Sequence, residues 1–108
     1  MKLIVGATDY ELKKSPKECL CKFNPDEEHM TTGLCDSLNC EILINEEFPL
    51  QIKRQAFWHE VVHAMLEQIG LHDLSLDECF VDAFGKQLYG LHKNNNLEKV
   101  YAFLDGVK

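Results

Sequence analysis

The chain of 108 residues contains no apolar run near the roughly 20 residues that cross a bilayer as a helix. Its opening, Met1-Lys2-Leu3-Ile4-Val5-Gly6, is too short an apolar stretch for a secretory signal and lacks an evident cleavage site; it reads as a first strand. Basic residues are scarce, 11 Lys and Arg against 18 Asp and Glu, giving a net charge of −7. That balance argues against a nucleic-acid backbone or an anionic membrane as the main partner. No internal repeat, low-complexity tract or linker divides the sequence. Residues 1–108 are therefore expected to form one domain, of a size that supports a core without disulfides. The five cysteines, Cys19, Cys21, Cys35, Cys40 and Cys79, are odd in number and show no Cys-x-x-Cys spacing. They fit reduced thiols and a cytoplasmic location better than a disulfide framework or a four-thiolate zinc site.

The chain does contain an ordered set of secondary-structure signals. Residues 2–8 read as a strand, and 9–32 as a polar, irregular stretch broken by Pro16 and Pro25, with a helical turn near Asp9–Lys14. Gly33-Leu34-Cys35 and Cys40–Asn45 read as two strands joined by a turn at Asp36-Ser37-Leu38-Asn39. Pro49 marks the first turn of a long helix, and Gly70 marks its end beyond Ile69. Phe57, Val61, Ala64, Met65 and Leu66 recur at helical spacing along it. A short loop at 71–74 leads to a second helix from about Ser75 to Leu91, with Phe80, Phe84, Leu88 and Leu91 as its apolar face. The opposite face carries Glu78, Asp82, Gly85 and Tyr89. Leu97–Leu104 reads as a last helix. The expected fold is α+β: a small N-terminal antiparallel sheet packed on the long helix and on the second helix.

The long helix carries the most informative pentapeptide, His59-Glu60-Val61-Val62-His63, the pattern H-E-x-x-H. On a helix the two imidazoles lie one turn apart on one face and can share one zinc ion. Glu60 lies beside them, placed to take a proton from a water that the ion activates. The plain alternative is a core helix that exposes two polar residues. A metzincin would continue with Gly and His where Leu66 and Ile69 stand, so that class is excluded. A third ligand is required, and His72, Asp73, Asp77, Glu78 and Asp82 are the candidates. A residue on a second, antiparallel helix reaches the ion most easily, which favours Glu78. Ser75-Leu76-Asp77-Glu78 is also an S-x-x-E capping box; if Glu78 caps its helix, Asp82 becomes the ligand.

Glu78 to Gly85 has the form E-x-x-x-D-x-F-G. In this the chain resembles the gluzincins, the thermolysin-like zinc peptidases. The resemblance implies that Glu78 is the third metal ligand and that Asp82 accepts the free ring N–H of His59, fixing its tautomer. Gly85 on the same face would let the two helices approach closely. Over residues 33–92 the chain is similar to small phage, prophage and mobile-element proteins of the ImmA/IrrE type, with a minimal zincin-like domain. That resemblance implies a zinc-dependent peptidase with one Zn2+, acting on a protein or peptide partner, such as a regulator. Cys40–Asn45 would bind the substrate backbone by edge pairing. An oxyanion donor is also expected; Tyr89 is the first candidate, with His92, His29 and Tyr10 behind it. The competing reading is a non-catalytic zinc-binding module that recognises a protein without cutting it.

Overall fold

The computed structural model describes residues 1–15 and 32–106. Among these, four strands precede four helices: β1 (Lys2–Val5), β2 (Thr8–Ser15), β3 (Gly33–Asp36), β4 (Glu41–Asn45), α1 (Leu50–Gln68), α2 (His72–Ser75), α3 (Glu78–Asn94) and α4 (Leu97–Leu104). The domain is α+β, as expected. Cys19, Cys21 and His29 lie outside the described residues.

The N-terminal strand expected over residues 2–8 is instead a hairpin. Gly6, at φ +59°, turns the chain so that β2 runs back along β1. The helical turn expected near Asp9–Lys14 is also absent, because this stretch forms β2. Its alternation puts Tyr10 in the core and leaves Asp9, Glu11 and Lys13 outside, the period of a strand with one buried face.

The sheet has strand order β1-β2-β4-β3. It is mixed, where an antiparallel sheet was expected. β1 and β2, and β3 and β4, pair antiparallel, but β2 and β4 run parallel, with Leu12 opposite Ile42 and Lys14 opposite Ile44. Ile42, Leu43 and Ile44 of β4 are all buried. A strand apolar on both faces is most stable in the centre, so the β3–β4 hairpin docks through β4 and not through β3. The central place of β4 also overturns its expected role as a substrate-pairing edge.

Helix α1 starts and stops as its punctuation predicts. The Pro49 carbonyl accepts the first helical bond from Lys53 at 3.0 Å. At the other end Leu71 N–H bonds to Leu66 O and Gly70 N–H to Glu67 O, with Gly70 at φ +76°. This is a Schellman motif, which glycine permits without a Cβ penalty. α1 lies between two packed layers. Ala56, Val61 and Ala64 join Val5, Tyr10, Ile42 and Ile44 against the sheet, while Val62 and Leu66 pack with Val81 of α3. Met65, expected in the core, is exposed.

The helix expected from about Ser75 starts at Glu78 and runs unbroken to Asn94, while the loop expected over 71–74 holds the short helix α2. Asp77, not Ser75, caps α3 by accepting the Phe80 N–H at 3.1 Å. The face of α3 that packs is the one carrying Val81, Gly85 and Tyr89. Phe84 and Leu91, placed on the buried face in the sequence reading, are 47% and 49% exposed. Leu97–Leu104 is a helix as expected, capped by the Asn96 side chain. No described helix is long and apolar enough to cross a membrane.

Candidate metal centre

The middle of α1 presents His59 and His63 with ring centroids 5.0 Å apart. Ligand atoms of His59, Glu60 and His63 all lie within 4.8 Å of one another, a group able to hold a metal ion. Helical spacing creates this stripe, and packing on both flanks of α1 holds it rigid.

The start of α3 brings Glu78 to the two rings. Its Oε2 is 3.0 Å from His59 Nε2 and its Oε1 is 3.1 Å from His63 Nε2. A carboxylate oxygen and a bare ring nitrogen are both acceptors, so each contact needs positive charge between them. A proton on each ring would supply it, and so would one divalent cation shared by the three groups. Because Asp77 takes the cap, Glu78 is free to face the imidazoles, which removes the conflict raised by the S-x-x-E pattern.

The outer ring nitrogens have partners of their own. His59 Nδ1 lies 3.4 Å from Asp82 Oδ1, and Asp82 is held in turn by Lys86, one turn on, at 2.9 Å. Lys86, with His59 beside it, keeps the Asp82 carboxyl below the ordinary range. His63 Nδ1 lies 3.1 Å from the buried Ser75 hydroxyl. Burial pushes the His63 imidazole below its ordinary value, against the opposing pull of Glu78. That favours the neutral ring a metal requires.

Glu60 differs from its neighbours in being 6% exposed, with Oε2 buried and without a hydrogen-bond partner. Burial, and then the charge of Glu78, push its carboxyl up to about 8. A buried, unsatisfied carboxyl is costly and calls for a role beyond packing. Gly33 of β3 covers it: a Cβ there would lie 3.1 Å from Glu60 Cγ.

These groups open on a cleft of about 680 Å³ whose walls include Gly33, Leu34 and Cys35 of β3, together with Glu67, His72 and Ser75. His72 Nδ1 is 2.8 Å from Glu67 Oε1 at its rim. The other sequence candidates are elsewhere. Asp73 and Asp77 line a separate hollow beside Gly70. Tyr10 is buried in the sheet core. Tyr89 is about 16 Å further along α3 than Glu78, at 1.5 Å per residue, and lines a different hollow with His92. Neither Tyr89 nor Tyr10 reaches the metal group as an oxyanion donor.

Sequence reasoning missed Ser75 as the partner of His63, because its place in a capping pattern suggested another role. It also missed Gly33 and the Glu67–His72 pair. The spacing of Glu67 four residues after His63 was the available signal, since it puts both on one face. Compared with known proteins, the chain matches no family model, no curated protein and no solved structure.

Proposed function

We propose that this protein is a zinc-dependent metallopeptidase that cleaves a protein or peptide partner in the cytoplasm, in the manner of the ImmA/IrrE-type proteins its sequence resembles. The observation that carries this reading is the convergence of His59 Nε2 and His63 Nε2 on the Glu78 carboxylate, beside the buried, unpartnered Glu60. Tetrahedral zinc with ligands at about 2.0–2.2 Å would set ligand atoms roughly 3.3–3.6 Å apart. The observed separations of 3.0 and 3.1 Å are somewhat shorter, so the exposed Glu78 side chain would move outward by a few tenths of an ångström to admit the ion. His59, His63 and Glu78 would hold the ion, and Asp82 and Ser75 orient the two rings.

Zinc at this place supplies Lewis acidity toward a water and a scissile carbonyl. Glu60 takes the proton of the attacking water and delivers it to the leaving amine. Burial and Glu78 hold its carboxyl above the ordinary range in the metal-free protein, and the charge of a bound ion would bring it back toward the ionised form a base requires. Among the described residues β3 is an edge strand, and Gly33–Cys35 line the cleft, so an extended peptide can pair with β3 rather than with β4. Among the described residues His72, positioned by Glu67, is the imidazole at the rim placed to donate to an oxyanion in place of Tyr89.

Elemental analysis of protein purified without added metal, followed by cleavage assays on a peptide library, tests the proposal. Stoichiometric zinc and cleavage lost in Glu60→Gln, with zinc retained, are the expected results. Zinc without cleavage in the wild type would favour a binding module. Absence of zinc would end the metal reading altogether.

A further inference from the structure

A second hollow, of about 710 Å³, shares no lining residue with the metal cleft. It lies between the ends of β2 and β4, the first half of α1 and the last turns of α3. Aromatic rings form much of its wall. Trp58 and His92 stack with centroids 4.4 Å apart, Phe57 meets Trp58 edge-on, and Tyr89 lies alongside.

Four cations ring this wall: Lys14, Lys53, Arg54 and Lys93. Among the described residues no Asp or Glu lines the hollow. The described lysine ion pairs involve Lys2, Lys13 and Lys86, so none of the four has a carboxylate partner among the described residues. Lys93 Nζ instead lies 5.7 Å from the Tyr89 ring centroid. In a chain of net charge −7, four of the 11 basic residues thus gather, unpaired, around one aromatic hollow. Like charges repel, and among the described residues no carboxylate offsets them there; only the C-terminal end of α3 faces Lys93 with opposite partial charge. A pocket of roughly 300–1,000 Å³ with an apolar wall and a few convergent polar groups is the usual form of a small-molecule site.

We propose that this hollow binds a small organic anion, a carboxylate or phosphate carried on a flat ring. Arg54, Lys53 and Lys93 hold the anionic group, and Trp58 and Tyr89 take the ring. A large polyanion is disfavoured, because the acidic remainder of the surface repels it at a distance while a small ligand meets only the cations. The site is independent of the metal centre.

Trp58 is the sole tryptophan, so its indole N–H gives a single side-chain resonance in a nitrogen–proton correlation spectrum of the full chain. The probes are naphthoate and AMP, set against their neutral counterparts naphthalenemethanol and adenosine, with inorganic phosphate alone as a further arm. At low salt, at least one of the two anions is expected to shift the Trp58 resonance saturably, while its neutral counterpart and phosphate do not. The tighter of the two anions tells carboxylate carriers from phosphate carriers. Arg54 and Lys93 are exposed, so Arg54→Glu with Lys93→Glu leaves the core intact and should weaken binding by more than about tenfold. His59→Ala should leave the binding unchanged. On the wild type, raising salt to about 0.3 M should weaken it, a check that needs no variant. The proposal is overturned if neither anion saturates, if the neutral compounds bind as well, if phosphate alone binds as tightly, or if affinity ignores both salt and charge reversal.

Discussion

Gly85 of α3 lies directly on the backbone of His59: a Cβ at Gly85 would meet His59 N and Cα at 3.1 Å and the Trp58 carbonyl carbon at 3.3 Å. The two helices approach closely here because one of them lacks a side chain. Gly85→Ala gains about 1 kcal/mol of helix propensity. The clash, however, is with backbone that cannot swing aside, so α3 must move off α1. A net loss of about 1–2 kcal/mol is expected, read as a lower urea midpoint at unchanged slope. Zinc affinity should fall with it, because Glu78 and Asp82 travel with α3. A variant as stable as the wild type would show that the interface is looser than these distances require.

The ring partners separate holding the metal from orienting its ligands. His59→Ala, His63→Ala or Glu78→Ala should abolish stoichiometric zinc. Asp82→Asn, which keeps the size of the side chain but weakens the acceptor for His59 Nδ1, should cost about 10–100-fold in affinity while retaining one site. Competition with a chromogenic chelator measures both. Unchanged zinc content in the histidine variants would remove the metal assignment.

Glu60 makes the metal-free protein sensitive to pH. Its carboxyl is raised from 4.5 to about 8 by burial and by Glu78. The native chain therefore keeps a proton that the unfolded chain has released between those values. Its contribution to stability is full below pH 4.5 and is lost progressively as pH rises toward about 8. With a chelator present, urea midpoints across this window should fall for the wild type and fall less for Glu60→Gln. Parallel slopes for the two proteins would show that Glu60 titrates as an ordinary carboxyl.

The cysteines should differ sharply in reactivity. Burial, reinforced by the charge of Glu60, pushes the Cys35 thiol up to about 12, so little thiolate forms at pH 8. Cys79 is exposed at the start of α3. Brief treatment with iodoacetamide and peptide mapping should find Cys79 modified at least about tenfold faster than Cys35. Equal rates would mean that β3 lifts away from the cleft readily.

Much of this protein is legible along the chain wherever a local rule decides it. The Pro49 start and the Gly70 stop of α1 are set by a missing N–H and by a left-handed backbone, which are properties of those residues themselves. The hairpin of β3 and β4 is set by polar turn residues between two apolar runs. Helical period alone puts His59 and His63 on one face. The hairpin at Gly6 was equally local and was missed, because the apolar run hid a single glycine turn.

Non-local competition decided the rest. Ser75 and Asp77, two positions apart, could each cap the start of α3, through the Glu78 or the Phe80 N–H, and the chain pattern does not rank the two starts. The fold gave that cap to Asp77, left Ser75 to His63 and freed Glu78 for the imidazoles. The parallel pairing of β2 with β4 depends on which strand buries more on both faces, a comparison made only when the sheet assembles. Local sequence determined that two imidazoles and a carboxylate share one helix, since backbone period requires it. The buried unpaired Glu60, the carboxylate from α3 and the basic aromatic hollow arose only on packing, because each depends on residues brought together from distant parts of the chain.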